Sequence, residues 1–304
     1  ISLVRERERK GNNRAFAAAI TAGGSLVTPI IPPGIALIIY GLVADVSIGK
    51  MFIAGLVPGL LCAVVLMFTV YLVARKTNAK PSRESWPTGK EVVFSLGQAW
   101  PALFLIFAVV GGIRANIFTP TEAGAAAVLI VLAIGFFIYR EMRISHVVKA
   151  LGETARATAS VMLVIMASAA LGWIFSMEHA GVAVANFVTS LTENKYMFLL
   201  IINILLLTLG MFLEGNAILL ILVPLLKPVV EHFGIDPVHF GIIMIFNLSI
   251  GAFTPPVGTV MLLVCNITQV SVGNFFKQSL PLLAALLLML MLVTYIPAIS
   301  LFLV

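Results

Sequence analysis

Long apolar runs alternate with short basic stretches along the chain, and the runs have the length of helices rather than strands. The pattern predicts a helix from Arg14 to Ala22, interrupted at Gly23-Gly24-Ser25 and again at Thr28-Pro29-Ile-Ile-Pro32-Pro33-Gly34, then resuming to about Ala44. A span follows over 51–74, then a polar loop with a short surface helix over 75–98, containing Pro81 and Pro87. Spans over 99–116 and 123–139 flank a tight turn at Thr119-Pro-Thr-Glu122. An amphipathic basic surface helix is expected over 140–156, a span over 157–177, and an interfacial helix over 181–191 that is too short to cross. The segment 196–230 reads as a re-entrant hairpin with its tip at Glu214-Gly215-Asn216, 240–267 as a second broken helix, and 277–304 as the last span.

Two stretches break the apolar pattern in the same way. Pro32-Pro33-Gly34 and Thr254-Pro255-Pro256-Val-Gly258 each place adjacent prolines inside a run that otherwise suits hydrocarbon. Proline removes a backbone donor and pushes the preceding residue out of the helical region. A chain in a bilayer must satisfy its backbone internally, so such a break survives only where protein buries it or water reaches it.

Composition fixes the class. Of the 304 residues 61% are hydrophobic and 11% charged, with a mean hydropathy of +1.10, which excludes a soluble globular domain and disorder alike. A transmembrane barrel would alternate apolar and polar positions in short strands, and this chain does not. The expected fold is an all-α polytopic membrane protein. The net charge of +6 does not point to nucleic acid, because the basic residues sit between the spans. If the N-terminal loop lies on one side, 1–14, 75–98, 140–156 and 268–277 share it. Every Lys and Arg except Lys50, Arg114, Lys195 and Lys227 then falls on that side. The positive-inside rule makes it cytoplasmic. Cys62 and Cys265 lie inside apolar runs and read as small buried residues, with no metal or disulfide spacing.

The two breaks belong to a weak internal repeat. Gly34 aligns with Gly258, Val46-Ser47-Ile-Gly49 with Val270-Ser271-Val-Gly273, and Phe52 and Pro58 with Phe275 and Pro281. In the predicted topology the copies start on opposite sides, and an inverted repeat with paired broken helices is the pattern of a secondary transporter. The expected layout is a partial first repeat over 1–60, connecting spans and a cytoplasmic arm over 61–156, and a second repeat over 157–304. In the second copy the tip Glu214-Gly215-Asn216 precedes Gly234 by some distance; in the first, Gly11 has too little chain before it. The expectation is that a first hairpin lies upstream of Ile1, and that this is the C-terminal part of a longer protein.

The stretches R-A-F-A-A-A-I-T-A-G-G-S-L-V-T-P-I-I-P-P-G (14–34), F-T-P-T-E-A-G-A-A (118–126), L-G-M-F-L-E-G-N-A (209–217) and G-I-D-P-V-H-F-G…N-L-S-I-G-A-F-T-P-P-V-G (234–258) resemble the large membrane subunit of tripartite ATP-independent periplasmic (TRAP) transporters, the DctM-like family. The resemblance implies an elevator-type, sodium-coupled importer in a bacterial inner membrane. It further implies two partners, a small DctQ-like membrane subunit and a periplasmic substrate-binding protein. The cargo would be an organic acid such as a C4-dicarboxylate, another carboxylate or a sialic acid. No cofactor is expected beyond sodium as the coupling ion.

The residue chemistry accords with that. An ionisable group at membrane depth, as at Glu214, is a functional candidate by default, with helix capping as its structural alternative. Gly215 suits the turn and Asn216 offers an amide. Unwound carbonyls and side-chain oxygens at Ser25, Thr28, Asn216, Asn247, Gly251 and Thr254 suit sodium. Half-helix N-termini beside Pro32, Pro33, Pro255, Pro256 and Gly258 suit a substrate carboxylate. Thr119-Pro-Thr-Glu122 reads as a turn in which Thr121 or Thr119 can cap the next helix, with Arg114 near enough to pair with Glu122. The four histidines fall in predicted loops without metal spacing. An intramembrane enzyme would need a nucleophile–base pair or ligand cluster at depth, and neither H-E-x-x-H nor G-x-S-x-G occurs. A channel and a receptor-independent carboxylate or anion transporter of similar design remain as alternatives.

Overall fold

The computed structural model describes residues 13–76, 88–115, 117–178 and 180–304. The N-terminal basic loop up to residue 12, residues 77–87 of the 75–98 loop with its two prolines, Asn116 and His179 lie outside the described residues. Among the described residues all regular structure is helical. The helices are α1 (Arg14–Ser25), α2 (Ile35–Ala44), α3 (Ile48–Lys76), α4 (Gly89–Arg114), α5 (Pro120–Ala133, continuing into a π-turn over Ile134–Ile138), α6 (Ile144–Met177), α7 (Ala180–Leu191), α8 (Lys195–Phe212), α9 (Gly215–His232), α10 (Pro237–Phe253), α11 (Thr259–Thr268), α12 (Val272–Tyr295) and the short α13 (Ala298–Leu301). Six of the described helices are long and apolar enough to cross a membrane, or seven if the bent α4 counts as one span.

Helix starts follow from local chemistry. Asn13, Asn194 and Asp236 accept from backbone N–H groups two residues on, at 2.8 Å in each case. Thr119 and Glu122 form a reciprocal box, with the Thr119 N–H donating to Glu122 Oε2 at 2.8 Å and the Glu122 N–H to Thr119 Oγ1 at 3.3 Å. That carboxylate serves its own cap, and no Arg114–Glu122 ion pair occurs among the described residues.

Three expectations need correcting. The surface helix over 140–156 and the span over 157–177 are one unbroken α6, because Ile144–Met177 contains no proline and isolated glycines do not end a helix. The Gly23-Gly24-Ser25 interruption is absent, since α1 runs to Ser25 and only then unwinds. Histidines are not confined to loops: His146 and His232 lie on α6 and α9, and His239 is buried on α10, which starts early because Asp236 caps it and Pro237 fits its first turn. In α4, Pro101 bends the helix by 55° between Gly89–Pro101 and Leu103–Arg114.

The described chain forms two units, residues 1–82 with 171–304, and residues 83–170. The second contains α4, α5 and most of α6. It leaves large apolar side chains such as Phe107 (73% exposed) and Leu129 (68%) uncovered, a surface suited to hydrocarbon and not to water. In the first unit the core is α10. Every residue from Val238 to Gly251 is buried, which is the mark of a helix enclosed on all sides. It packs against α8, α9, α12, α3 and α2. The halves of the two broken helices meet crosswise: α1 touches α11, and α2 touches α10.

A joint between α2 and α10 shows how closely this core fits. Tyr40 donates its hydroxyl to the Pro237 carbonyl at 2.6 Å, and its ring lies over Gly241, where a Cβ would meet Tyr40 Cδ1 at 2.6 Å and Met51 Cε at 2.7 Å. Gly241→Val is therefore expected to cost about 1–3 kcal/mol through overpacking, and Tyr40→Phe about 1 kcal/mol through the lost hydrogen bond. Thermal unfolding of the detergent-solubilised protein checks both; an unshifted midpoint for Gly241→Val would contradict the joint.

Candidate functional site

The second break runs from Thr254 to Gly258, between α10 and α11. Its Pro255–Pro256 peptide bond is cis, as is Pro32–Pro33 in the first break. Thr254 is buried; its N–H donates to Gly251 O at 3.0 Å and its hydroxyl to Ile250 O at 2.7 Å. The hydroxyl proton is thus committed, and the oxygen lone pairs remain available. Gly258 adopts φ +44°, and a Cβ there would meet Thr254 O at 2.6 Å, so only glycine closes this turn without strain.

The hairpin tip packs directly on this break. Gly258 donates its N–H to Met211 O at 2.9 Å. Gly251 lies so close to α8 that a Cβ would meet Gly210 C at 2.6 Å and Gly210 Cα at 2.7 Å, while a Cβ on Gly215 would touch Leu248 Cβ at 3.5 Å. Two facing glycines let α8 and α10 approach backbone to backbone, the contact that small residues permit between membrane helices. Asn247 and Gly251, one turn apart, share the face turned to α8, and Thr254 follows as the extended residue that ends the helix.

Glu214 is exposed and caps α9: Oε2 accepts from Ala217 N at 2.9 Å and Oε1 from Asn216 Nδ2 at 2.7 Å. Its structural alternative, capping, is what its contacts provide. With Asn216 Nδ2 so engaged, its Oδ1 is left to accept. The arms α8 and α9 have 18 residues each, about 27 Å at 1.5 Å per residue. They diverge from the tip, α8 packing mainly on α10 and α9 on α7, α2 and α10.

The first break is seated differently. After α1 the backbone unwinds through successive turns, with Leu26, Val27 and Thr28 N–H groups donating to Gly23, Gly24 and Ser25 carbonyls at 3.2, 3.4 and 3.1 Å. Ser25 donates its hydroxyl to Ala22 O at 2.7 Å. Ser25 and Thr28 are exposed and Pro32 is buried. The break rests on α3, where Gly55 leaves room for the Ile30 carbonyl and Gly59 for the Ile31 side chain. Thus Glu214, Gly215, Asn216, Asn247, Gly251, Thr254, Pro255, Pro256 and Gly258 are gathered around one junction. No hydrogen bond among the described residues joins Ser25, Thr28, Pro32 or Pro33 to it.

Asn247 has no exposed surface. Its Nδ2 donates to Asn203 Oδ1 at 2.6 Å and to the Ile243 carbonyl at 2.9 Å, while its own Oδ1 has no partner. Asn203 and Thr294 behind it escaped the sequence reading, although a lone Asn inside the apolar run of α8 was a legible signal. A larger cavity of about 420 Å³ lies in the other unit, lined by Pro101, Leu105, Val131, Gly135 and Met142 among others. It contains none of the candidate residues and its walls are largely apolar.

These features define a multi-pass helical membrane protein with two proline-broken helices, one locked to a helical hairpin. The chain belongs to the family described as "Tripartite ATP-independent periplasmic transporter, DctM component", which matches residues 2–299. It is 40% identical over 297 residues, 96% of this chain and 68% of the relative, to the C4-dicarboxylate TRAP transporter large permease protein DctM of Pseudomonas aeruginosa. It is 39% identical over 292 residues, 95% of this chain and 67% of the relative, to the sialic acid TRAP transporter large permease protein SiaM of Vibrio cholerae. The isethionate TRAP transporter permease protein DctMQ of Oleidesulfovibrio alaskensis is 38% identical over 293 residues, 96% of this chain and 46% of that protein. The chain is accordingly a transporter permease component and not an enzyme.

Gly251→Ala should separate α8 from α10 and lower transport at least tenfold while the protein still inserts, because the new methyl meets backbone that cannot rotate away. Uptake per inserted molecule, measured in reconstituted vesicles, checks this.

Proposed function

We propose that this permease component imports an organic acid, coupled to sodium, across the inner membrane of a bacterium, with its basic loops cytoplasmic. It works with a small DctQ-like membrane subunit and a periplasmic protein that delivers the cargo. The relatives named for a C4-dicarboxylate, a sialic acid and isethionate all carry acids that are anionic at neutral pH, and one relative is named as a DctMQ permease. The observation that carries the reading is the pair of breaks. Each has a cis Pro-Pro bond and a following glycine, and α1 meets α11 while α2 meets α10. This supports reading the chain as an elevator-type inverted repeat, with 196–230 as the re-entrant hairpin of the second half.

The residues fit sodium. Sodium is a hard cation that takes oxygen ligands. Asn247 Oδ1 is a buried oxygen without a donor, and Thr254 and Ser25 have their protons engaged elsewhere, leaving lone pairs. Asn216 Oδ1, the Gly251 carbonyl and Thr28 Oγ1 complete the candidate set, divided between the two breaks. When bound, the ion supplies positive charge that neutralises oxygen dipoles in a dry site. The cargo's acid group belongs at the half-helix N-termini of α2 and α11, behind Pro32-Pro33-Gly34 and Pro255-Pro256-Val257-Gly258, where partial positive charge accumulates.

Asn247→Leu and Thr254→Val are expected to raise the sodium concentration for half-maximal uptake about tenfold without loss of expression. Uptake in liposomes containing both membrane subunits, with and without the binding protein and a sodium gradient, is the test. Wild-type sodium dependence in both variants would sink the site assignment, and uptake that needs no binding protein would favour a receptor-independent carboxylate transporter. A cysteine in place of Arg143 should be shielded from an impermeant maleimide added outside cells, and one in place of Lys195 should react.

A further inference from the structure

Behind the candidate sodium site lies a buried polar chain of which the transport reading uses only Asn247. Asn203 on α8, Asn247 and His239 on α10, Thr294 on α12 and Ser300 on α13 are each 2% exposed or less. Asn247 Nδ2 donates to Asn203 Oδ1 at 2.6 Å, and Asn203 Nδ2 donates to Thr294 Oγ1 at 3.0 Å. The Thr294 carbonyl lies 3.3 Å from His239 Nε2, and His239 Nδ1 lies 2.6 Å from Ser300 Oγ. The two ring nitrogens of His239 thus face a backbone carbonyl of α12 and the Ser300 hydroxyl, which also lies 3.1 Å from the Pro297 carbonyl. Thr294 thus ties three helices: its side chain takes α8 and its backbone takes α10.

The chain has a direction, and it ends on an oxygen. Asn247 Nδ2 faces two acceptors, and one of them is the Ile243 carbonyl. Flipping the amide would set Oδ1 against that carbonyl and against Asn203 Oδ1, so the orientation is determined. Asn203 is determined in turn, because its Oδ1 must face the Asn247 donor and its Nδ2 then reaches Thr294. The outcome is an Asn247 Oδ1 that is fully buried and without a donor. A buried acceptor left unpaired is costly, and native proteins retain few of them. Asn247 shares its face of α10 with Gly251, one turn on toward the break that opens at Thr254.

We propose that Asn203, held by Thr294, is a positioning residue that locks the Asn247 amide with its oxygen presented to the coupling cation. This rests on the sodium reading of the same site. Without Asn203 the Asn247 side chain loses the partner that fixes its rotamer, and the oxygen is presented only part of the time. Cation affinity falls by that fraction. Thr294 acts one step further back and contributes less.

The test is a sodium titration of thermal stability on the intact permease in detergent, with choline replacing sodium at constant ionic strength. A ligand that binds only the folded state stabilises it by RT ln(1 + [L]/Kd), so the sodium concentration at which the midpoint begins to climb reports half-saturation. In the wild type, sodium and not choline should raise the midpoint. Asn203→Leu should shift half-saturation upward about tenfold and Thr294→Val about threefold. Thr294→Ser, which restores the hydroxyl, should return it to the wild-type value. If Asn203→Leu does not fold, the near-isosteric Thr294→Val and Thr294→Ser pair decides. The proposal is overturned if the variants lose stability equally in sodium and choline while half-saturation stays at the wild-type value, the result expected of a purely structural network or one closed by water. No sodium-specific stabilisation in the wild type would instead remove the coupling-ion reading itself, and this proposal with it.

Discussion

A helix that stops inside a protein core must satisfy its last carbonyls and the following amides without water. α10 is such a helix, enclosed on every side and ending at Phe253 beneath other helices. Its terminal groups are met from within: Thr254 turns its amide onto Gly251 O and its hydroxyl onto Ile250 O, and Gly258 reaches across to Met211 O. That last bond makes the hairpin tip the closure of the broken helix. The glycine contact between Gly210 and Gly251 is what brings the two backbones near enough to form it. Removing the close approach would leave the break uncapped in an apolar surround.

The two breaks meet the same requirement with different neighbours. The second leans on the hairpin. The first unwinds gradually and lodges against Gly55 and Gly59 of α3. A displacement of the hairpin tip must therefore break the Met211–Gly258 bond or move the second break with it, whereas the first break follows α3. This difference ties the hairpin and α10 into one mechanical piece. The Tyr40–Pro237 bond and the ring seated on Gly241 then link that piece to α2.

Buried polarity in this unit is concentrated and nearly complete. Asn203, Thr294, His239 and Ser300 satisfy one another, and among the described residues Asn247 Oδ1 is the buried side-chain atom left without a partner. A satisfied network rigidifies a core, and one unpaired acceptor within it is costly. Glu214, the one carboxylate nearby that the sequence singles out, spends its oxygens on capping α9.

Hydropathy, proline placement and capping residues determined much by themselves. The apolar runs had to be helices in lipid, paired prolines had to interrupt two of them, and Thr119 could open a helix, because each of these is settled within a few residues of chain. Continuity across 140–177 was misjudged because charge marks a surface without marking a break. What only the tertiary structure decided was which groups meet: that Gly251 faces Gly210, that His239 and Asn203 converge on Thr294 from two helices, and that Asn247 keeps one oxygen free. Those pairings join residues 41 to 91 positions apart. No local rule acts over such separations, since helix packing sets the neighbours and the pattern along one helix gives only the face.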